Sequence, residues 1–292
     1  MAEPFIGAEA LAAGVMTRHQ LRTRCRKILP GIHLDRAVEP TLYRRTKGAW
    51  LWSQRQGVIG GPAAAALLGA KWVDPGVEVD LYYPSTRPPA GVRTRHDRLL
   101  AAEYRTVRGM AVTTAARTAF DLARSDTSAG KRDPLGPAVA AVDALMNATG
   151  VGVAAVELVA DAHPGVRGLR QLEQVLRLVD AGAESPKESW LRLLVGRHGF
   201  PPVQTQLEVR DGYGIFVARL DMGWPDLLVA VEYDGDQHRT SRRQYVRDIR
   251  RREDLDRLGW VVVRVVAEDA EVNVVRRIQT AREHALTFTQ RR

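Results

Sequence analysis

The stretch from residue 185 to residue 284 constrains the fold most, because it alternates regularly between helix and strand patterns. Ser185 and Pro186 suit the N-cap and first position of a helix that we predict to run to Arg197. Strand patterns follow at 206–210, 215–221 and 227–234, then a charged helix at 241–258 that Ser241 caps. Residues 260–266 are continuously apolar, which is typical of a strand buried on both faces, and a last helix covers 269–284. The sequence therefore predicts an α/β domain here.

The N-terminal segment has the outline of a winged helix-turn-helix. A helix is predicted over 7–14, Thr17 suits the N-cap of a second helix, and that basic helix runs from Arg18 to Lys27. A turn at Pro30 and Gly31 then leads into a strand. A recognition helix must enter a negatively charged groove, so the basic second helix favours DNA binding over simple packing.

The middle of the chain is predicted to be an α/β and helical region. Helices are expected over 42–54, 62–69, 134–148 and 151–179, the last with an interruption near residues 163–165. Strands are expected over 77–83, 92–98 and 105–112, with Thr114 capping a helix over 115–124. Residues 180–186 form the clearest boundary. We therefore predict three parts, a module at 1–60, an intermediate region at 61–183 and a domain at 184–292.

The charge of the chain points to a polyanionic partner. The formal net charge is +9, and the basic residues are mostly arginines, whose planar guanidinium groups suit phosphates. A GC-rich genome would also enrich arginine, so the charge alone leaves both readings open. No run of about 18 apolar residues and no signal-peptide pattern occurs, which predicts a cytoplasmic protein without a membrane partner. The single Cys25 excludes an internal disulfide and a cysteine-rich zinc site.

Carboxylates are predicted to converge at strand ends in the C-terminal domain. Glu232 and Asp234 share one strand face, and Asp221 ends the preceding strand of a predicted hairpin. Such a cluster is stable only when a cation offsets the repulsion, and its hard oxygen donors suit Mg²⁺ or Mn²⁺. His238 lies just beyond as a proton carrier or phosphate ligand, and arginines on the next helix would hold the DNA backbone, chiefly Arg243, Arg247 and Arg251.

The same residues also allow interpretations in which they have no catalytic or binding role. Asp221 and Glu232 taken alone would be surface carboxylates at strand ends. Glu188 suits the helix dipole of the first turn as well as a metal. The arginine-rich helix also contains acidic residues and would serve as a solvated face, where Asp248 orients His238 or an arginine.

The motif set of this domain resembles an actinobacterial Vsr-like domain family of unknown function, which is similar to very-short-patch-repair endonucleases. The resemblance covers roughly residues 185–285 and lies in these motifs: Ser185-Pro-x-Glu188, Arg219-x-Asp221-x-x-Trp224-Pro225, Glu232-Tyr-Asp-Gly-Asp-Gln-His238, Tyr245-x-x-Asp248-x-x-Arg251 and Gly259-Trp260. It implies the PD-(D/E)XK restriction-endonuclease-like superfamily, with an αβββαβ core and a DNA repair or defence role. It also implies that Asp221, Glu232 and Glu188 bind the metal, with Asp221, Glu232, Asp234 and His238 as the catalytic set.

One position departs from the superfamily pattern. Two residues after the metal-binding glutamate, where a lysine is usual, this chain has Asp234. The resemblance implies that histidine contributes instead in the Vsr-like branch, and His238 is the local candidate. The departure keeps a second hypothesis open, a non-catalytic DNA-binding regulator that retains a degenerate nuclease domain. An RNA substrate is compatible with the same site chemistry.

The N-terminal part resembles type IV abortive-infection antitoxins and related transcriptional regulators. The resemblance lies in residues 6–34 and in Val112-Thr-Thr-Ala-Ala-Arg-Thr-Ala-Phe-Asp-Leu-Ala123, and it covers about residues 1–130. It implies a winged helix in front of an α/β domain and sequence-directed DNA binding. The implied DNA contacts are Thr17, Arg18, Gln20, Arg22 and Arg24.

Overall fold

The computed structural model describes residues 2–125, 133–235 and 242–289, which form a mixed α/β protein. The chain divides into two compact units, Met1–Ala181 and Gly182–Arg292. The boundary between the two units lies at 181/182, two residues before the domain boundary that the sequence predicts at 183/184. The predicted module at 1–60 and the intermediate region at 61–183 lie together in the first unit.

The first unit begins with two short helices and a small antiparallel sheet. Its elements are β1 (Phe5–Ile6), α1 (Gly7–Ala12), α2 (Arg18–Arg24), β2 (Cys25–Leu29), β3 (Ile32–Asp35) and α3 (Leu42–Trp52). The three strands lie in the order β1-β3-β2. The prediction that the basic helix continues to Lys27 is wrong. Cys25 is buried and extended and pairs with Asp35, so a β-hairpin takes up Cys25–Leu29.

A mixed five-stranded sheet forms the centre of the first unit. Its elements are β4 (Val58–Gly60), α4 (Gly61–Leu67), β5 (Val79–Tyr82), β6 (Val92–Arg95), a 3₁₀ turn (Ala101–Glu103), β7 (Tyr104–Val107) and β8 (Met110–Thr113). The strand order is β6-β5-β4-β8-β7. One apolar core contains Ile6 and Ile32 of the first segment together with Ile59 and Val112 of this sheet, so the two regions fold as one body.

Four helices complete the first unit: α5 (Ala115–Arg124), α6 (Gly136–Thr149), α7 (Val153–Asp161) and α8 (Leu169–Leu176). Thr114 caps α5 as predicted, with its side chain accepting from the Arg117 N–H. No single described helix is long and apolar enough to cross a membrane. The pair α6 and α7 reaches that composition only together, across a bend of 114°.

A buried network of charged side chains connects α5 to the sheet. The Arg117 side chain is fully buried and donates to Glu103 Oε2 at 2.6 Å, to Tyr82 Oη at 2.8 Å and to Asp121 Oδ2 at 3.3 Å. His163 Nε2 lies 2.6 Å from the second oxygen of Glu103. Arg117 and Asp121 belong to the segment that resembles the antitoxin group, and here they hold the unit together.

The second unit is a four-stranded sheet with helices on both faces. Its elements are α9 (Pro186–Arg197), β9 (Gln204–Arg210), β10 (Phe216–Trp224), β11 (Val229–Tyr233), α10 (Arg242–Arg257), β12 (Val261–Val265) and α11 (Glu271–Thr289). The strand order is β12-β11-β10-β9, with β11 and β12 parallel and the other pairs antiparallel. Ser185 caps α9 and Pro186 begins it, which confirms that prediction.

Two apolar cores flank this sheet. One joins α9 and α11 to residues such as Met222 and Val231, and the other joins Leu255 of α10 to Leu220 and Ala230. The strand buried on both faces is β11. The prediction that residues 260–266 form a strand buried on both faces is wrong, because β12 lies at the edge of the sheet and Val261 is 46% exposed.

The strand β10 extends three residues beyond its predicted end at Asp221 and finishes at Trp224. The extension depends on Gly223, where the two hairpin strands approach closely. A Cβ atom at this position would lie 2.3 Å from the carbonyl oxygen of Val229. Only glycine fits this contact, and the extra pairing fixes the register that brings the acidic residues together.

Candidate acidic site in the second unit

Asp221 and Glu232 lie on neighbouring antiparallel strands. Met222 pairs with Val231, so the next step of this register places Asp221 opposite Glu232. The backbone N–H of Tyr233 donates to Asp221 Oδ2 at 2.8 Å. The hairpin that the sequence predicts therefore places both carboxylates side by side on the two central strands of the sheet.

The direction of the side chains along β10 changes at Asp221. Side chains two residues apart on a strand normally share a face, yet Leu220 packs with Leu207 and Ala230, and Met222 packs with Val229 and Val231. Gln206, opposite this point on β9, has a left-handed backbone with φ of 51°. Such a conformation costs a non-glycine residue on the order of 1 kcal/mol. Local strain thus accompanies the position of the Asp221 carboxylate.

Glu188 approaches the two carboxylates from the first turn of α9. Its Oε1 accepts from the Ser185 hydroxyl at 2.8 Å, and its Oε2 accepts from the Glu184 N–H at 2.9 Å. The amide of Gln206 donates to the same Oε2 at 3.2 Å. Glu188 therefore belongs to the helix cap, and its charge also acts on Asp221.

The pKa of Asp221 is raised to about 7. Burial is the largest cause, and the negative charges of Glu188 and Glu232 raise it further. The Tyr233 N–H and the charge of Arg251 lower it, but less. Loss of solvent around the carboxyl group therefore dominates this pKa, and the two neighbouring carboxylates add to it.

Arg251 of α10 is the cation that faces these carboxylates. Its Nη1 donates to Glu232 Oε2 at 3.3 Å, and its Nη2 makes a shorter contact with Glu232 Oε1. The same Nη2 donates to the carbonyl oxygen of Arg219 at 3.1 Å. Arg251 was predicted to contact DNA, and in the structure it is paired with Glu232.

The other predicted residues of this domain have different positions. Asp234 follows the last residue of β11, and its backbone N–H donates to the Val265 carbonyl oxygen at 2.8 Å. Arg247 is exposed on α10. His238 and the Arg243 side chain lie outside the described part of the chain.

Two residues near the site were missed by sequence reasoning. Gln206 bonds Glu188, and Lys187 Nζ lies 5.4 Å from the centre of the Tyr233 ring. Neither has a sequence signal, because a glutamine in a polar edge strand and a lysine in the first turn of a helix are ordinary. Only the fold brings Gln206 opposite Asp221 and Lys187 to the Tyr233 ring.

The donor set has the right chemistry for a hard divalent cation, but the side chains are not yet arranged around one point. Asp221, Glu232 and Glu188 offer only oxygen donors. Among residues 2–125, 133–235 and 242–289, no group of three or more His, Cys, Asp or Glu side chains is positioned to hold a metal ion. In this arrangement Arg251 contacts Glu232, and Ser185 of the α9 cap contacts Glu188.

The predicted DNA contacts of the first unit lie on α2 and at its N-cap, and α2 has no buried residues. Arg18, Arg22 and Arg24 are exposed. Thr17 and Gln20 instead form a reciprocal cap. The Gln20 N–H donates to Thr17 Oγ1 at 3.2 Å, and the Thr17 N–H donates to Gln20 Oε1 at 2.9 Å. These two side chains therefore shape the helix terminus, whereas the arginines face solvent.

The high pKa of Asp221 makes stability depend on pH. The native state binds this proton more tightly than the unfolded chain, whose pKa is near 3.8, so stability falls as pH rises from about 4 to about 7. Asp221→Asn removes this dependence. Without metal, the variant should gain stability relative to wild type between pH 4.5 and pH 8, on the order of 2 kcal/mol after solvent screening of a half-buried group. Chemical denaturation in EDTA at both pH values measures it, and a constant difference contradicts the assigned pKa.

Comparison with curated proteins finds two uncharacterized proteins of Mycobacterium tuberculosis, one from strain CDC 1551 and one from strain H37Rv. Each is 29% identical to this chain over 267 residues, which cover 87% of this chain and 92% of the relative. The similarity therefore extends over both compact units. No protein-family model matches the chain, and no solved structure matches it.

Proposed function

We propose that the second unit is a metal-dependent DNA endonuclease that hydrolyses phosphodiester bonds. The observation that carries the proposal is the half-buried Asp221 carboxyl beside Glu232 and Glu188, with its pKa raised to about 7. A divalent cation would relieve this repulsion and convert Asp221 to its charged form. The order of elements from α9 to β12 supports the proposal, because it is the αβββαβ order that the resemblance to the PD-(D/E)XK superfamily implies, with the additional helix α11 after it.

The residues of the site would have separate roles in metal binding, DNA binding and proton transfer. Asp221 and Glu232 would hold Mg²⁺ or Mn²⁺, with Glu188 as a supporting ligand. The bound ion would supply an activated water molecule and a clamp on the scissile phosphate. The exposed Arg247, with Arg243, would bind the DNA backbone. Asp234 would support the metal ligands, and His238 would carry a proton or bind phosphate.

DNA is the favoured polyanion because of the first unit. Most of the excess of basic over acidic residues lies there. Its helix α2 presents Arg18, Arg22 and Arg24 to solvent in front of the β2–β3 hairpin, which suits a winged-helix contact with a DNA groove. The first unit would then bring the second unit to its substrate.

The experiment that tests the function is a cleavage assay on duplex DNA with added Mg²⁺ or Mn²⁺. Wild type should nick or cut the DNA, and EDTA should stop the reaction. The Asp221→Ala, Glu232→Ala double variant should be inactive. Intact activity in this double variant contradicts the proposal.

A second candidate is a DNA-binding regulator, related to antitoxins, with a degenerate nuclease domain. Two observations favour it: Asp234 stands where the superfamily has lysine, and Arg251 already neutralises Glu232. This candidate predicts metal-independent operator binding and no cleavage at any metal concentration. The cleavage assay therefore separates the two candidates.

Both candidates predict that α2 binds DNA. Arg18→Ala with Arg22→Ala should weaken duplex binding at every salt concentration. If each arginine contacts one phosphate, the slope of log affinity against log salt concentration should decrease by about 2. Fluorescence anisotropy at salt concentrations from about 50 to about 300 mM measures both the affinity and the slope. Arg170→Ala, at another exposed arginine of the same unit, is the control. An unchanged slope in the double variant would exclude α2 from the interface.

A further inference from the structure

Arg251 has a position that neither the sequence pattern nor the proposed metal site explains. It lies on α10, the helix that was expected to hold DNA, yet its guanidinium makes a two-pronged contact with Glu232. The Arg251 side chain is 29% exposed and that of Glu232 is 12% exposed. The pair is thus largely shielded from solvent but still reachable from it.

The charges around this pair do not balance. Asp221 and Asp248 act on Arg251 electrostatically in addition to Glu232, and Glu188 acts on Asp221. Lys187 lies over the Tyr233 ring, and Arg264 of β12 is the strand partner of Glu232, so the four carboxylates Glu188, Asp221, Glu232 and Asp248 still outnumber these cations. One guanidinium therefore serves several carboxylates and has its hydrogen bonds with only one of them. A site with this surplus of negative charge attracts a further cation.

We propose that Arg251 is the resident counterion of Glu232 and that a divalent cation displaces it, so that the freed guanidinium binds a DNA phosphate. This inference rests on the proposed nuclease function. A cation held between Asp221 and Glu232 would lie close to the guanidinium, and the two like charges would repel each other. The two carboxylate oxygens also cannot serve both partners fully.

Arg251 has a second hydrogen bond that would keep it at the site after it releases Glu232. Its Nη2 also donates to the Arg219 carbonyl oxygen at 3.1 Å, which keeps the guanidinium at the edge of β10 when Glu232 turns to a metal. The planar fork of arginine fits two oxygens of a phosphate as well as those of a carboxylate. Metal binding would therefore create the phosphate-binding group, and the metal-free protein would bind DNA without it.

Manganese binding to the full chain tests the exchange. Mn²⁺ affinity is measured by electron paramagnetic resonance at pH 8 without DNA, for wild type, Arg251→Gln and Arg251→Lys. Removal of the competing charge should tighten Mn²⁺ binding in Arg251→Gln by ~10-fold or more. Arg251→Lys keeps the charge but loses the fork, so it should lie between the two. Arg252→Gln, at an exposed arginine of α10 next to Arg251, should match wild type.

Duplex binding tests the second half of the exchange. With EDTA, Arg251→Gln should bind DNA as wild type does, because Glu232 holds the arginine in that state. With Ca²⁺, Arg251→Gln should bind DNA several-fold more weakly than wild type. An equal loss in both conditions would mean that Arg251 contacts DNA without any exchange, and would overturn the inference.

The outcomes separate this inference from the nuclease proposal. One outcome is that wild type binds Mn²⁺, Glu232→Gln does not, and Arg251→Gln binds it no more tightly than wild type. This outcome overturns the exchange and leaves the metal site intact. Absence of Mn²⁺ binding in all variants, with circular dichroism spectra like that of wild type, overturns both. Tighter binding in Arg251→Gln alone supports both.

Discussion

Asp221→Asn is expected to reduce metal-dependent DNA cleavage at least about 1000-fold. A catalytic metal contributes several kcal/mol to the transition state, and about 1.4 kcal/mol corresponds to a factor of ten in rate. Asparagine keeps the size of the side chain and the oxygen that accepts from the Tyr233 N–H, but it removes the charge. Turnover of a labelled duplex under saturating Mg²⁺ measures the loss.

The matched control is Asp226→Asn, at an exposed aspartate just after β10 in the same unit. It should cleave DNA at the wild-type rate. The two variants change the net charge equally, so a general electrostatic effect on DNA binding would lower both rates together. A loss confined to Asp221→Asn supports the acidic site, and equal rates for all three proteins would place the chemistry elsewhere.

Arg117→Met is expected to reduce the free energy of unfolding by about 3–5 kcal/mol, the largest stability effect that we predict. Methionine fills part of the volume but leaves Glu103 buried without its arginine partner. Asp121 loses one of its cations and keeps Arg124, whose Nη2 donates to Asp121 Oδ1 at 2.9 Å. It also removes the donor to the Tyr82 hydroxyl. Chemical denaturation of the full chain at pH 7 measures the change.

Arg105→Met is the control for this prediction, because Arg105 lies exposed on β7 of the same unit. It should change the free energy of unfolding by less than about 0.5 kcal/mol. A further variant, Arg117→Met with Glu103→Gln, should recover part of the loss, since one unpaired charge is then removed. A similar small effect for Arg117→Met and Arg105→Met would show that the network contributes little.

Local signals in the sequence predicted the helix starts and the pairing of the acidic strands. Ser185 with Pro186, and Thr114, each begin a helix through contacts made by immediate neighbours, and the structure confirms both. The hairpin between Asp221 and Glu232 follows from strand lengths and the Trp-Pro turn between them. These features depend on nearby residues, so the sequence carries them.

Features that depend on distant partners were not predictable in this way. Val58–Gly60 is too short to show alternation, yet it forms the central strand of the five-stranded sheet through pairing with β5 and β8. Cys25 continues a helical pattern, and only its pairing with Asp35 makes it extended. Strand pairing between separate segments decided both.

The acidic site likewise combines features that the sequence predicts with features that only the fold produces. The identities of Asp221, Glu232 and Glu188 follow from spacing and resemblance, but their charge state does not. The raised pKa of Asp221 needs burial and two neighbouring carboxylates at once. The pairing of Arg251 with Glu232 needs α10 to lie across β10, and a basic helix by itself suggests only a DNA contact.

A crystal structure of the full chain soaked in Mn²⁺ tests the central claim most directly, since anomalous scattering locates the ion. We predict one ion coordinated by carboxylate oxygens of both Asp221 and Glu232, with Arg251 turned away from Glu232. A saturating soak that leaves Arg251 on Glu232 and no ion between the two carboxylates would contradict the account.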